Sequence, residues 1–207
     1  IDVDLLLQGY ARMLRAHGGQ IVTGAGVKAL HRTGGHWQVE TAQGRHTAPI
    51  VVNAAGAWAD EIAAMAGLPR IGLQPCRRSA AIIPAPEGYE TETWPMFGSI
   101  AETWYAKPDA GKLMVSPADE DPVDPHDAWP DDMVLAEGLD RFERAVTHEV
   151  RRVEHSWAGL RTFAPDRTPV AGFEPRAEGF FWLAGQGGYG VQTAPALARL
   201  AAALLTG

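Results

Sequence analysis

The sequence contains very little cysteine, and this scarcity limits the chemistry open to it. Cys76 is the only cysteine among 207 residues, so the chain has no internal disulfide, no C-x-x-C redox pair and no cysteine-based zinc site. Its seven histidines do not fall at the spacing of a metal-binding pair such as H-x-x-x-H. We therefore predict no metal site, and because a single thiol is typical of a reducing compartment we expect a cytoplasmic protein.

An excess of basic residues and long apolar runs are also missing. Lysine and arginine total 18 against 25 aspartate and glutamate residues, a net charge of -7, and nucleic acids are bound through clustered positive charge. We therefore predict no nucleic-acid partner. The longest apolar segments, near Ile62 and Leu200, are far shorter than the roughly 20 residues of a membrane span, so no span is predicted.

The most distinctive stretch is a glycine-rich turn near the end of the chain. Phe180–Ala184 is an apolar run typical of a buried strand, and four glycines follow it within six residues. From Val191 onward apolar residues recur at helical spacing, which predicts a strand that turns sharply into a helix. Backbone N–H groups at such a turn suit an electron-rich or anionic ligand. Alternatively, the glycines only provide the positive φ angles of a tight turn.

The first third of the chain mixes helical and strand patterns. Asp2 is placed to cap an N-terminal helix, and residues 20–22 predict a strand. Alternating runs on either side of Gly34-Gly35 predict a hairpin. The apolar run 49–53 is typical of a strand buried in a parallel sheet and leads to a predicted helix over residues 61–66.

The middle of the chain favours antiparallel strands. Residues 74–84 and 97–107 predict a strand pair, and a further strand follows Gly111. Residues 118–132 are acidic and proline-rich, which indicates a solvated loop. A calcium site there is the weaker alternative because the D-x-[DN]-x-[DN]-G spacing is missing. Residues 135–150 predict a helix.

Together these elements predict an α/β (α+β) fold in which an antiparallel-sheet domain of the substrate-binding type interrupts an α/β domain. We expect the α/β domain to comprise residues 1–72 and 156–207, and the inserted domain residues 73–155.

Three motifs in this order resemble one known family. They are V-V-N-A-A-G-A-W-A-D (51–60), S-W-A-G-L-R-T-F-A-P-D-R-T-P-V-A-G (156–172) and W-L-A-G-Q-G-G-Y-G-V-Q-T-A-P (182–195). The chain resembles the FAD-dependent oxidoreductases of the D-amino-acid oxidase superfamily, and L-Q-P-C-R-R-S-A (73–80), W-P-M (94–96) and Y-A-K-P-D-A-G (105–111) are most similar to its D-arginine dehydrogenases. The family begins with a strand and a G-x-G-x-x-G turn that this sequence does not contain, so we expect an incomplete Rossmann-like FAD-binding domain.

The resemblance implies a substrate site. Arg161 resembles the arginine that binds the substrate carboxylate with two parallel charge-assisted bonds. Arg78 resembles a second substrate-contacting arginine and is preferred to its neighbour Arg77, whose side chain points to the opposite face of the strand. The other substrate positions implied by the resemblance are Tyr105, Met96, Gly159 and Gly188.

The resemblance also implies a cofactor site. The turn that would face the pyrimidine end of the flavin consists of Gly187, Gly188, Tyr189, Gly190, Val191 and Gln192. Val27 resembles a backbone position beside the adenine. Ala54, Ala55 and Gly56 resemble the approach to the adenosine half, although small residues after a strand can also serve packing alone.

The implied reaction is oxidation of a D-amino acid by hydride transfer from its α-carbon to FAD, with the imino acid hydrolysing to a 2-oxo acid and ammonia. The electron acceptor is left open. The alternatives are an amine oxidase of the sarcosine or glycine oxidase type, and a non-catalytic protein that binds amino acids or another chain. We expect this 207-residue chain to bind FAD weakly, and its exposed strand edge near residues 50–52 to associate with an N-terminal segment or a second copy.

Overall fold

The computed structural model describes all 207 residues, Ile1–Gly207, and the chain divides into two compact units. The discontinuous unit consists of Ile1–Gly72 and Thr168–Gly207, and the continuous unit of Leu73–Arg167. In chain order the helices and strands are α1 (Val3–Ala16), β1 (Val27–Thr33), β2 (His36–Thr41), β3 (Gly44–Ala48), β4 (Val51–Asn53), α2 (Ala59–Met65), β5 (Gln74–Pro84), β6 (Phe97–Gly98), β7 (Tyr105–Asp109), β8 (Lys112–Ser116), β9 (Asp121–Pro122), α3 (Asp132–Ala145), β10 (His155–Phe163), β11 (Val170–Phe173), β12 (Phe180–Ala184) and α4 (Gly190–Thr206). The predicted mixed fold class is confirmed.

The second boundary between the units differs from the expected one. The inserted domain is expected to end at residue 155, whereas residues 156–167 also belong to the continuous unit. The reason is that β10 pairs with β5 along its whole length, from His155 opposite Ile82 to Phe163 opposite Gln74. A strand hydrogen-bonded over nine residues cannot be divided from its partner.

The discontinuous unit contains two three-stranded sheets, in the orders β1-β2-β3 and β11-β12-β4. The β1–β2 hairpin is confirmed. Its two-residue turn has positive φ at both Gly34 (+58°) and Gly35 (+80°), as a twisted hairpin turn requires. The strand predicted at residues 20–22 is wrong, because turns at Gly18 (φ +82°) and Gly24 (φ +66°) bracket the segment and it pairs with no other strand.

Strand β12 forms the core of the discontinuous unit. It lies between β11, its antiparallel neighbour, and β4, its parallel neighbour. Phe180 and Phe181 are completely buried. Trp37 of β2 packs edge-on against Phe180 and donates its indole N–H to the Glu178 carbonyl at 3.1 Å. These contacts join the hairpin sheet to the parallel strand pair.

A buried carboxylate, that of Glu174, lies in the connection between β11 and β12. Glu174 accepts hydrogen bonds from the Arg176 guanidinium at 2.5 and 3.2 Å and from the Trp182 indole N–H at 3.1 Å. The Arg176 bonds, followed by the Trp182 bond, lower the pKa of Glu174 to about 2, although burial opposes this shift. Glu174 therefore stays ionised in the folded chain at neutral pH.

The sheet of the continuous unit runs β10-β5-β8-β7-β6, with β9 also paired to β5. Strand β5 has the predicted bounds. The strand predicted over residues 97–107 is wrong, because it is divided into β6 and β7 by a turn in which Thr103 N donates to the Ser99 hydroxyl at 2.8 Å. Neither part pairs with β5, whose neighbours in the sheet are β10, β8 and β9.

One face of this sheet packs against α3. Ile83, Leu113 and Val115 form a buried cluster with Phe142 of α3. The helix begins earlier than predicted, because the Asp131 carboxylate caps it by accepting from Met133 N and Val134 N at 3.0 and 3.1 Å. It also ends earlier, at Ala145.

None of the four α-helices combines the length and apolar character needed to cross a membrane.

We predict that replacing Glu174 with Gln lowers the free energy of unfolding at pH 7 by about 1–3 kcal/mol, since a buried charge-assisted network is lost. The folded-state pKa lies below the ordinary value, so this stabilisation is present above about pH 4.5 and is lost as the pH falls toward 2. The difference between wild type and E174Q in urea denaturation should therefore shrink between pH 7 and pH 3. E178Q is the matched control, because Glu178 is 83% exposed in its ion pair with Arg32. A difference that did not change with pH would contradict the assignment.

Candidate functional site

The face of the continuous unit's sheet opposite α3 carries most of the predicted substrate residues. In the β10–β5 register Arg161 lies opposite Cys76 and Gly159 lies opposite Arg78, and directly opposed residues share a face. The Arg78 guanidinium lies 6.0 Å from the centre of the Tyr105 ring on β7. We call the surface formed by Arg161, Gly159, Arg78 and Tyr105 the arginine face.

Arg161 is the distinctive cation of this face. Its side chain is half-buried, yet it makes no hydrogen bond or ion pair. The other half-buried arginines, Arg77, Arg78 and Arg141, all pair with carboxylates. A partly desolvated guanidinium without an anion retains all of its donors for an external carboxylate.

The two adjacent arginines of β5 point to opposite faces, as their alternation predicts. Arg77 lies on the α3 side, where it pairs with Asp121 at 3.0 Å and with buried Asp119 at 3.6 Å. Its Nε is buried and has no hydrogen-bond partner. Arg78 shares the face of Arg161, so the structure groups Arg78 rather than Arg77 with the predicted site.

The remaining substrate candidates of the continuous unit lie in different surroundings. Gly159 leaves open space above the strand, since a Cβ built there meets no atom within 4 Å. The Tyr105 hydroxyl has no hydrogen-bond partner and is free to bind a ligand. Met96 precedes β6 and is 67% exposed.

The acidic segment contributes residues that the sequence analysis assigned to a solvated loop. Asp119 is buried and accepts from Ser79 N and the Ser79 hydroxyl at 2.7 and 2.8 Å. Glu120 pairs with Arg78 at 3.5 Å and with Arg167 at 2.6 Å. The only sequence feature that could have predicted these contacts is the acidic run, whose charge complements that of the C-R-R motif of β5. These carboxylates therefore serve as ion-pair partners of arginines.

The glycine-rich turn in the discontinuous unit forms as predicted. Gly185 and Gly187 have φ of +73° and +54°, and α4 follows with Tyr189 as its N-cap. The Tyr189 side chain makes no capping bond. The first helical hydrogen bond is that from Thr193 N to Tyr189 O at 3.0 Å. The N–H groups of residues 190–192 are thus left without partners. Pro195 lies in the second turn of the helix.

A cavity of about 320 Å³ in the same unit brings three predicted cofactor residues together. Val27 of β1 lines it together with Ala54 and Ala55, which follow β4. Most of the lining is aliphatic. Gly56 does not line it, and instead begins a 3-10 turn with φ of +56°. Asn53, which the sequence analysis did not single out, shapes this turn by donating to the Ala59 carbonyl at 2.8 Å.

Comparison with known proteins assigns the chain to a family. Residues 1–204 match the DAO family, FAD-dependent oxidoreductases. The chain belongs to this family, whose members depend on FAD. It is 28% identical over 172 residues to FAD-dependent oxidoreductase domain-containing protein 1 of Bos taurus, an alignment that covers 75% of this chain and 35% of that protein.

Solved structures share the fold. Glycine oxidase from Geobacillus kaustophilus has a TM-score of 0.79 and 23% identity, covering 92% of this chain and 50% of that one. Iminodiacetate oxidase from Chelativorans sp. BNC1 has a TM-score of 0.82 and 21% identity, covering 98% of this chain and 54% of that one. The chain therefore spans about half the length of these structures and about a third of the length of the bovine relative.

We predict unequal stability effects for two glycine-to-alanine substitutions in the continuous unit. G159A should change the free energy of unfolding by less than about 0.5 kcal/mol, because the added methyl group meets no atom. G138A should cost about 1–3 kcal/mol, because its Cβ would overlap Pro117 against α3. Urea denaturation of both variants measures the difference. Equal destabilisation would show that the space above Gly159 is not open.

Proposed function

We propose that this protein oxidises amino acids, removing hydride from the α-carbon, and that its substrates are D-amino acids of the D-arginine type accepted with broad side-chain tolerance. The single observation that carries this proposal is Arg161, a half-buried guanidinium without an anion on the arginine face. The resemblance of the W-A-G-L-R motif to the carboxylate-binding motif of the superfamily supports the same role. Glycine oxidase and iminodiacetate oxidase act, by their names, on amines that carry a carboxylate.

In this proposal the side chains of the arginine face orient the substrate. Arg161 binds the carboxylate through two parallel N–H donors, which fixes both position and rotation. The open space above Gly159 admits the rest of the molecule, and the free Tyr105 hydroxyl adds a hydrogen bond. Holding the α-carbon in one orientation supplies much of the rate acceleration, because hydride transfer requires the α-carbon to lie in near-attack geometry.

Two features of the discontinuous unit fit FAD. The partnerless N–H groups of residues 190–192 suit the electron-rich pyrimidine edge of the ring, beside Gly187, Gly188 and Tyr189. The aliphatic cavity at Val27, Ala54 and Ala55 suits the adenine, with Gly56 at the adjoining turn. When bound, FAD would supply the hydride acceptor. The resulting imino acid then hydrolyses to a 2-oxo acid and ammonia.

A second candidate function is that of an oxidase for small secondary or achiral amines, of the sarcosine or glycine oxidase type. The likeness to glycine oxidase favours it, and Arg161 would serve it equally well, because those substrates carry the same carboxylate. The two candidates differ in whether the enzyme distinguishes D- from L-substrates. A chain that binds amino acids without oxidising them is the third alternative.

We predict that R161A in an FAD-containing preparation lowers kcat/KM at least 100-fold, because loss of a charge-assisted pair costs about 3 kcal/mol of transition-state stabilisation. R144A is the matched control, since Arg144 is an exposed arginine of α3 that pairs with Asp140. Reduction of an artificial dye provides the measurement. Unchanged turnover in R161A would refute the role of Arg161.

We further predict that D-arginine reduces the dye faster than L-arginine at equal concentration. Because Arg161 fixes the carboxylate, only one enantiomer directs its α-hydrogen to the acceptor. The resemblance to D-arginine dehydrogenases implies that this is the D-enantiomer. Glycine and sarcosine serve as achiral comparisons in the same assay. Faster oxidation of glycine or sarcosine than of any D-amino acid would favour the second candidate instead.

A further inference from the structure

Glu120 occupies the arginine face next to Arg78. Strand β9 pairs with β5 so that Pro122 lies opposite Cys76 and Asp121 opposite Arg77. Continuing this register by one residue brings Glu120 opposite Arg78. Because side chains alternate between faces, Glu120 lies on the face of Arg78 and Arg161. The 3.5 Å ion pair between Glu120 and Arg78 agrees with this placement.

The positive charge of Arg78 is already balanced by its partners. Its Nε donates to the Asp119 carbonyl at 2.6 Å, and its Nη2 donates to Glu120. The other Glu120 oxygen accepts from Arg167 at 2.6 Å, so Glu120 is held between two guanidinium groups. Arg161 has no such partner. The arginine face therefore carries one free cation and one cation whose charge is already balanced.

We propose that Glu120 makes the arginine face select ligands with one carboxylate over ligands with two. This inference rests on the proposed function, in which Arg161 binds the first carboxylate. Diagonal neighbours on one face of an antiparallel pair lie about 7–8 Å apart, so Arg78 is within reach of the far end of a small ligand bound at Arg161. A second carboxylate there must displace Glu120 and approach its negative charge. Glu120 is thus a specificity-determining residue.

Titration calorimetry of the protein with propionate and with succinate tests the inference without any turnover. In wild type we expect propionate to bind at least as tightly as succinate. In E120Q the freed Arg78 should raise the affinity for succinate relative to propionate about tenfold, the effect of one added charge-assisted contact. E120D keeps the negative charge and should retain the wild-type preference.

E137Q is the matched control. Glu137 also pairs with an arginine, Arg141 at 3.7 Å, but lies on α3, against the opposite face of the sheet. The ratio of the two affinities in E137Q should equal that in wild type. Because the readout is a ratio, a general loss of stability in one variant does not imitate the expected change.

The outcomes separate this inference from the proposed function. Propionate binding that R161A abolishes, together with an unchanged succinate-to-propionate ratio in E120Q, would overturn the role of Glu120 and leave the proposed function standing. Binding of neither acid, or binding that R161A does not weaken, would overturn both. A tenfold change of the ratio in E120Q but not in E120D or E137Q would establish Glu120 as the selecting residue.

Discussion

The register of β10 against β5 is the constraint on which the candidate site depends. Antiparallel partners share a face, so the same pairing that directs Ala81 and Ile83 toward α3 also presents Arg78 and Arg161 on the opposite side. A slip of β10 by one residue would turn Arg161 toward the α3 side of the sheet and separate it from Arg78. The free energy gained by burying the aliphatic cluster therefore also holds the two cations in place.

Elements with strong local patterns were predicted well from the sequence, and those that depend on distant partners were not. The hairpin at Gly34-Gly35, strand β5 and strand β12 have the expected positions because their turn residues or apolar runs specify them locally. Residues 20–22 do not form a strand because no neighbouring strand hydrogen-bonds to their backbone N–H and C=O groups. The early start of α3 follows from the Asp131 cap, a signal present in the sequence but obscured by the surrounding acidic run.

The candidate site could be predicted only where a motif identifies a single position. Arg161 and the turn after β12 belong to recognisable motifs, whereas Glu120 lies in a segment whose composition is that of a solvated loop. Its closeness to Arg78 arises from the β9–β5 pairing, which joins segments about forty residues apart. The cavity at Val27 and Ala54 has the same origin, because it forms between elements that are separate along the chain.

The pairing of Phe163 with Gln74 has a consequence for engineering of the chain. These residues lie near the two ends of Leu73–Arg167, so the polypeptide enters and leaves the continuous unit at adjacent points of one sheet. A segment with neighbouring termini can be inserted into a host loop, or replaced by a short linker, without stretching the host backbone. The continuous unit therefore has the geometry of a transplantable module, which could be exchanged while the glycine-rich turn and the parallel strand pair are retained.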